Sequence, residues 1–492
     1  MRFKKKMYAL LGCILFNASL FIMLPTLPIV NDFNSSINYN GNNKTNPNDN
    51  RVAVFESLLE VISDPNLDNT TKMADVQVFI DEQKAFGFPV MYNDIVVFIY
   101  LSNVSTNVSV HLSIQPVIEM SHVNGTNLYY AKLQLFDDTR CNYFFYDENV
   151  GLILDPLNMD GIRVPECFGN CSEALFINDL RMPNYSDDGS YLFNKSIGSN
   201  LINESFYSSV LDLTYNITIY LPAGYNNNTQ YKSFYTTDGL MYIELGNVKQ
   251  TLDYLDYYNK LDPLIGIFVH SIDKYNDYYL KRQFYEKFIA TELVPYIDSK
   301  YQTINNSLSR AHVGPELGSV LSGYIAYDYQ SVFNLVGAQS PVFNLDSSIL
   351  EYQANNDTLN DHYRFYINSG FYESILLYPA FKFAENLHKT NYIAKFRVFH
   401  QTAEIGQWRS TFGEMLQFLF SDECSDYSGS PVMYPPGDLI AESGCILPTS
   451  SISSTVSSIS SSSTTNNADG FLIFPAFAVI IIVSIRHKKK NK

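Results

Sequence analysis

The sequence predicts two successive folded regions, a β-sandwich followed by a doubly wound, mostly parallel α/β sheet. Over residues 51–200, short apolar runs alternate with turn residues, a pattern typical of an immunoglobulin-like β-sandwich. From residue 201 to 445, strands alternate with helices, which predicts a parallel sheet covered on both faces. A chain of 492 residues is long enough for both regions.

The strands of the first region are predicted from runs rich in β-branched and aromatic residues. Residues 31–50 are polar and rich in Asn, and they are predicted to form a disordered linker before this region. The predicted strands are 76–80, 95–100, 108–112, 128–135 and 143–146.

The second region is predicted from strands and helices that alternate along the chain. Residues 279–296 carry apolar side chains at helical spacing, and 320–327 form a second predicted helix. The predicted strands are 217–221, 234–235, 265–269, 311–313, 333–336 and 365–367.

A glutamate stands where this kind of sheet would carry a nucleophile. Gly314 and Gly318 flank Glu316 with the spacing of the Gly-x-Ser-x-Gly elbow, between a predicted strand and a predicted helix. In an α/β-hydrolase this turn lifts a serine above the sheet, and small residues on either side let it close. The pattern therefore predicts an α/β-hydrolase fold in which the nucleophile has been replaced.

Both ends of the chain predict a membrane context. Basic residues precede an apolar run within residues 1–30, which predicts a signal peptide or a signal anchor. Near the other end, 446–469 is predicted to be a Ser/Thr-rich stalk, 470–486 a transmembrane helix and 487–492 a basic cytoplasmic tail. The positive charges at both ends predict a cell-membrane protein whose body is extracellular.

In an exported protein the cysteines are expected to form disulfides. The frequent Asn-x-Ser/Thr sequons predict a glycoprotein. Cys424 and Cys445 form the simplest disulfide, and Cys167 with Cys171 is a further candidate that leaves Cys141 over. No second pair of ligands accompanies Cys167 and Cys171, so neither a metal nor a cofactor is expected. The net charge of −17 argues against nucleic-acid binding.

Short motifs that follow one another in order carry a family resemblance. In the first region they are 125–130 (Gly-Thr-Asn-Leu-Tyr-Tyr), 138–140, 154–158, 168–169 and 180–185. In the second region they are 219–225, 235–242, 292–297, 338–341, 370–373 and 408–409. Together they resemble the enterochelin-esterase-like branch of the esterase D family, whose members are α/β-hydrolases with an N-terminal immunoglobulin-like domain.

The resemblance implies a serine nucleophile, a histidine base and an acid that orients the histidine. Glu316 stands at the nucleophile position, Ala403 at the base position and Glu373 at the acid position. The segment near the oxyanion hole maps to Asp238, Gly239, Leu240 and Leu317. Lys274 stands where the family usually has arginine, and His400 is an out-of-register substitute for the base.

These observations predict a membrane-anchored, cell-surface pseudoenzyme that binds an unknown extracellular ligand or protein partner. One alternative is an active carboxylic-ester hydrolase that uses Glu316, Glu373 and His400. A second alternative is a structural surface-coat or adhesion protein. The sandwich resembles sugar-binding modules, but the only tryptophan is Trp408 in the second region, which favours a packing role for the sandwich.

Overall fold

The computed structural model describes residues 50–421, apart from 159, 165–174, 346–347, 350–362, 374 and 390–392, together with 432–433 and 439–440. The predicted signal segment, nearly all of the linker, the stalk, the transmembrane helix and the tail lie outside the described residues. So do Cys167, Cys171, Cys424 and Cys445. In the described part of the chain, no helix is both long and apolar enough to cross a membrane.

The first region opens with two helices, α1 (Arg51–Ile62) and α2 (Asn69–Gln83). The prediction of a strand at 76–80 is wrong, because this run lies in α2. Asp68 caps the helix by accepting the N–H groups of Thr70 and Thr71, and Val76, Phe79 and Ile80 are buried on one face. The buried positions recur with a period of 3.6 residues, which favours a helix. This preference outweighs the β-propensity of the local sequence.

Two antiparallel sheets follow the helices. The strands are β1 (Val90–Tyr92), β2 (Ile95–Leu101), β3 (Val108–Leu112), β4 (Ile118–Glu119), β5 (Ser121–His122), β6 (Leu128–Gln134), β7 (Arg140–Asp147), β8 (Gly151–Ile153), β9 (Gly161–Val164) and β10 (Leu175–Arg181). One sheet has the order β1-β2-β6-β5, and the other has the order β4-β3-β7-β10-β9, with β8 on β7.

The two sheets share one core. Phe98 and Tyr129 of the first sheet pack with Val110 and Phe145 of the second. The other face of the first sheet packs against α1 and α2, where Val97 lies beside residues of both helices. Because β2 is covered on both faces, its sequence is a continuous apolar run rather than an alternating one.

The second region is built on an eight-stranded sheet. Its strands are β11 (Asn200–Ser208), β12 (Leu213–Leu221), β13 (Lys232–Thr236), β14 (Leu264–His270), β15 (Arg310–Pro315), β16 (Leu335–Gln339), β17 (Arg364–Gly370) and β18 (Ile393–Phe399). Their order is β11-β12-β14-β13-β15-β16-β17-β18. All neighbours from β14 to β18 are parallel, and β11 and β12 add an antiparallel edge. A short pair, β19 (Val432–Met433) and β20 (Leu439–Ile440), follows.

Helices cover both faces of this sheet, as predicted. They are α3 (Gly239–Glu244), α4 (Val248–Tyr257), α5 (Arg282–Lys287), α6 (Val294–Lys300), α7 (Leu317–Asp328), α8 (Leu377–Lys389) and α9 (Ile405–Phe420). On one face, Tyr235 of β13 packs with Leu321 of α7. On the other face, the adjacent Phe234 packs with Leu252 of α4 and Phe412 of α9. The alternation of neighbouring side chains between two covered faces is that of a doubly wound fold.

Candidate functional site

The turn between β15 and α7 has the geometry of a nucleophile elbow. β15 ends at Pro315 and α7 begins at Leu317, so Glu316 alone makes the turn. Its backbone has φ 48° and ψ −118°, a conformation that side-chain-bearing residues rarely adopt. Backbone strain of this kind concentrates at functional sites. The turn therefore presents the Glu316 carboxylate at the C-terminal edge of the parallel strands.

The two elbow glycines are required by close packing. A Cβ atom on Gly314 would lie 2.2 Å from Thr237 Oγ1, and one on Gly318 would lie 2.0 Å from the same atom. Thr237 is held against the elbow because its N–H donates to the carbonyl of Val313 on the neighbouring strand. No side chain larger than hydrogen fits at either position unless this neighbour moves.

An acidic residue and a lysine lie beside Glu316. Asp238 is buried, and its Oδ1 lies 2.5 Å from Nζ of Lys274, which is about half exposed. Burial raises the pKa of Glu316, and Asp238 adds to this effect while Lys274 opposes it. Burial also raises the pKa of Asp238, again against the charge of Lys274. Lys274 thus pairs with Asp238, and its charge also acts on Glu316.

The segment predicted to form the oxyanion hole does reach the elbow. The N–H groups of Leu317 and Gly318 open α7 and have no partner within that helix. Asp238 adopts φ 55° before α3, and its N–H donates to Tyr278 Oη at 3.0 Å. Gly239 and Leu240 follow as the first residues of α3, where Gly239 presses against the backbone of Phe268. The elbow therefore offers the N–H groups of Leu317 and Gly318 as hydrogen-bond donors, whereas the N–H of Asp238 already donates to Tyr278.

Glu373 is held at the end of β17 by donors other than histidine. Its Oε1 accepts the N–H of Gly370 at 2.6 Å and the hydroxyl of Ser340 at 2.7 Å. Ser340 Oγ in turn accepts the indole N–H of Trp408 at 3.0 Å. The Gln407 amide, oriented to donate, reaches the same Oε1 at 3.0 Å. Oε1 therefore accepts several hydrogen bonds, whereas Oε2 is buried and has no hydrogen-bond partner among the described residues.

Burial raises the pKa of Glu373 to about 8. The Ser340 hydroxyl and the Gly370 N–H oppose this rise, whereas the charges of Glu316 and Glu404 add to it. The N–H of Glu316 donates to the carbonyl of Gln339, and the next residue, Ser340, donates to Glu373, so the elbow and the acid position belong to one site. At neutral pH, Glu373 is consequently protonated in the folded protein.

The base position carries no titratable group. Ala403 is buried in the loop between β18 and α9, and the adjacent Glu404 turns towards the first region. Glu404 Oε1 lies 2.5 Å from Nη1 of Arg140, whose Nη2 lies 2.7 Å from Asp179 Oδ1. Burial raises the pKa of Glu404 to about 7, and the Arg140 charge opposes this rise. A residue of the sandwich therefore fixes the loop that would carry the base.

The histidines near the site in sequence are engaged elsewhere. His400 stacks on Phe136 with ring centroids 3.9 Å apart, and its Nδ1 lies 2.5 Å from Asp138 Oδ1. His312 is buried on β15, where its Nδ1 pairs with Ser322 Oγ at 2.8 Å and burial lowers its pKa to about 3. Among the described residues, neither ring contacts Glu316 or Glu373 through a hydrogen bond.

The structure thus brings Glu316, Glu373, Asp238 and Lys274 to one edge of the sheet, and it places His400 at the boundary with the sandwich. Sequence reasoning missed the roles of Ser340 and Gln407 as donors to the acid position. Ser340 lies within one quoted motif and Gln407 directly precedes another, but nothing in the local sequence indicates which hydroxyl or amide will face Glu373. It also missed Arg140 as the partner of Glu404, although Arg140 lies in one of the quoted motifs.

Comparisons with known proteins agree with this geometry. Residues 208–417 match the Esterase family model, described as "Putative esterase". The uncharacterized protein YjcH of Bacillus subtilis strain 168 is 29% identical over 162 residues, which are 32% of this chain and 67% of that protein.

Two solved structures resemble the chain over most of their own length. The ferric enterobactin esterase of Salmonella typhimurium superposes with a TM-score of 0.58 at 16% identity, covering 66% of this chain and 93% of that one. The enterobactin esterase of Shigella flexneri, solved in the presence of enterobactin, gives a TM-score of 0.56 at 16% identity, covering 66% and 92%. At this identity the likeness concerns the fold, which is an esterase-like α/β-hydrolase.

Proposed function

The chain carries an esterase-like α/β-hydrolase domain, and from this premise we propose that the protein is a surface-anchored pseudoenzyme. In this proposal the site around Glu316 binds a ligand or partner and does not hydrolyse esters. The signal segment, stalk and apolar C-terminal run of the sequence support the surface location.

One observation carries the proposal: the three positions that the family resemblance assigns to the catalytic triad hold two carboxyl groups and a methyl group, with neither a hydroxyl nor an imidazole. Acyl transfer needs a nucleophile with a base within hydrogen-bond reach, and the base must be oriented by a third group. Glu316 replaces the hydroxyl and Ala403 replaces the imidazole. Glu373 remains at the acid position, where its Oε1 accepts from Ser340 and Gly370 instead of from an imidazole.

The rival enzyme would use Glu316 as a carboxylate nucleophile. The acyl–carboxylate intermediate would then need a water molecule activated by a base. Glu373 is protonated at neutral pH and cannot accept that proton, and His400 is paired with Asp138. The raised pKa of Glu316 also reduces the fraction that is ionised and nucleophilic. These features favour binding over turnover.

Hydrolysis of short acyl esters by the purified full-length chain separates these two functions. The binding protein gives the rate of buffer alone, and its Glu316→Ala variant gives the same rate. The structural-coat alternative is distinguished by assembly of the purified chain into an ordered lattice in the absence of any ligand.

The surface location has its own test. Protease added to intact cells should degrade the body of the protein, because the basic ends resist translocation and leave residues 31–465 outside. Full protection of the body in intact cells, with degradation after lysis, would contradict the proposed orientation.

A further inference from the structure

Among the described residues, the carboxyl groups at the elbow outnumber the cationic side chains beside them. Glu316, Asp238 and Glu373 come from three different loops at the C-terminal edge of the sheet, and Lys274 is the cation whose charge acts on Glu316 and Asp238. Lys274 makes its ion pair with Asp238. Among the described residues, the carboxylate of Glu316 makes no hydrogen bond and no ion pair.

A second observation concerns Glu373 itself. Its side chain is only 4% exposed, and Oε1 takes all the donors described above. Oε2 is buried and has no hydrogen-bond partner among the described residues. Leaving a buried carboxyl oxygen without a partner is energetically unfavourable, so such an atom in a native protein calls for an explanation such as a bound group.

An apolar rim lies next to these groups. The loop after β14 exposes Ile272, Tyr275 and Leu280, which are 58%, 53% and 61% accessible. Tyr275 stacks near Tyr279, whose hydroxyl donates to the carbonyl of Leu345. The same loop is tied to the site because Lys274 pairs with Asp238 and Tyr278 accepts the N–H of Asp238. Large exposed apolar side chains gathered beside a polar site are typical of a binding surface.

We propose that the site takes an organic cation, a protonated amine carried on an apolar or aromatic body. This inference rests on the proposed binding function and names the class of its ligand. The ammonium donates to the Glu316 carboxylate and to Oε2 of Glu373, and its binding releases to solvent the proton that Glu373 otherwise carries. The body of the ligand packs on Ile272 and Tyr275 at the rim, and the Tyr275 ring also favours positive charge.

An amine fits these groups better than a metal ion does. In the part of the chain that the structure describes, no three His, Cys, Asp or Glu side chains are grouped as metal ligands would be. An ammonium needs only hydrogen-bond acceptors at about 2.8 Å, which two carboxyl groups can supply without a complete coordination shell. Lys274 keeps its ion pair with Asp238 when the amine binds, so the ligand does not have to displace this lysine.

Three matched probes test this inference on the purified full-length chain by isothermal titration calorimetry at millimolar concentration: 2-phenylethylamine, 2-phenylethanol and phenylacetate. The amine is expected to bind, whereas the neutral alcohol and the anion are not. Glu316→Gln should weaken amine binding by about tenfold or more, since it removes a charge-assisted hydrogen bond. Glu119→Gln, which changes an exposed carboxylate on the sandwich strand β4, should leave binding unchanged.

Several results would overturn the inference. These are equal binding of the alcohol or the anion, no binding of the amine, unchanged amine affinity in both Glu316→Gln and Glu373→Gln, or displacement of the amine by magnesium, calcium or zinc ions. Since the probe comparison uses the unaltered protein, it remains decisive even if one variant does not fold. Ester turnover that depends on Glu316 would instead contradict the proposed function, so the two failures are distinguishable.

Discussion

Arg140 of the sandwich and Glu404 of the hydrolase domain form a buried ion pair, with Nη1 and Oε1 2.5 Å apart. Arg140 also pairs with Asp179, and its guanidinium lies so close to Gly406 that a Cβ there would overlap it. The N–H of Arg140 donates to the carbonyl of His400 at 3.1 Å. Thr139 pairs with Tyr372 Oη at 3.0 Å, next to Glu373. The sandwich therefore holds both the base-position loop and the acid-position loop of the second region.

Arg140→Ala should lower the free energy of unfolding by about 3–5 kcal/mol, because it leaves the carboxylate of Glu404 buried without its cation and removes one arginine from Asp179, which also pairs with Arg181 and Arg409. Urea unfolding of the full-length chain measures this loss. Lys84→Ala is the matched control, since its pair with Asp81 is exposed and should contribute little to stability. Equal, small effects of the two substitutions would show that the Arg140 pair does not hold the regions together.

Gly318→Ala should destabilise the fold by about 1–3 kcal/mol, because the new Cβ would lie 2.0 Å from Thr237 Oγ1. Thr237→Ala removes that hydroxyl, so the double variant should lose less than the sum of the single losses. A double-mutant cycle of unfolding free energies measures the coupling. Strict additivity would mean that the elbow glycine is not required by its contact with Thr237.

Glu373→Gln should stabilise the protein increasingly as the pH rises from about 5 to 8. The folded-state pKa of Glu373, about 8, lies above its ordinary value of 4.5, since burial disfavours the charged form. The stability linked to this proton is complete below about pH 4.5 and is lost as pH rises through about 8. Glutamine is neutral at every pH, so the difference in unfolding free energy between Glu373→Gln and the wild type grows to at most about 5 kcal/mol.

Unfolding free energies of the wild type and of Glu373→Gln at several pH values test this slope, with Glu119→Gln as the surface control. A difference between Glu373→Gln and the wild type that stays constant from pH 5 to 8 would show that Glu373 is ionised in the folded state.

Glu316→Ser should not create an esterase on its own, because in the part of the chain that the structure describes no histidine contacts the elbow through a hydrogen bond. Glu316→Ser combined with Ala403→His supplies both groups and should give a trace of hydrolysis, limited by the donors that already occupy Glu373 Oε1. Initial rates with p-nitrophenyl acetate measure both variants. Strong activity from Glu316→Ser alone would place the base at another residue.

The elbow was predictable from sequence because its requirements are local. Two glycines at the right spacing, a strand before them and a helix after them specify the turn, whatever residue occupies its tip. The alternation of strands and helices likewise specified the parallel sheet. The prediction of a strand at 76–80 was wrong because a short apolar run of this kind occurs in both strands and helices. The Asp68 cap favours the helix.

The partners of the site residues were not predictable in the same way. Arg140 and Glu404 are 264 positions apart, and Lys274 and Asp238 are 36 apart, so only the folded sheet brings each pair together. The hydrogen bonds from Ser340 and Gly370 to Glu373 depend on the register of β16 and β17, which places the ends of these two strands side by side. Local composition carries no signal for such contacts.

Whether the site around Glu316 hydrolyses esters can be measured directly with p-nitrophenyl acetate at neutral pH, on the purified full-length chain and its Glu316→Ala variant. Both proteins are expected to release p-nitrophenol at the rate of buffer alone. A wild-type rate above that background, abolished by Glu316→Ala and retained in the surface variant Glu119→Gln, would contradict the account and make Glu316 a nucleophile.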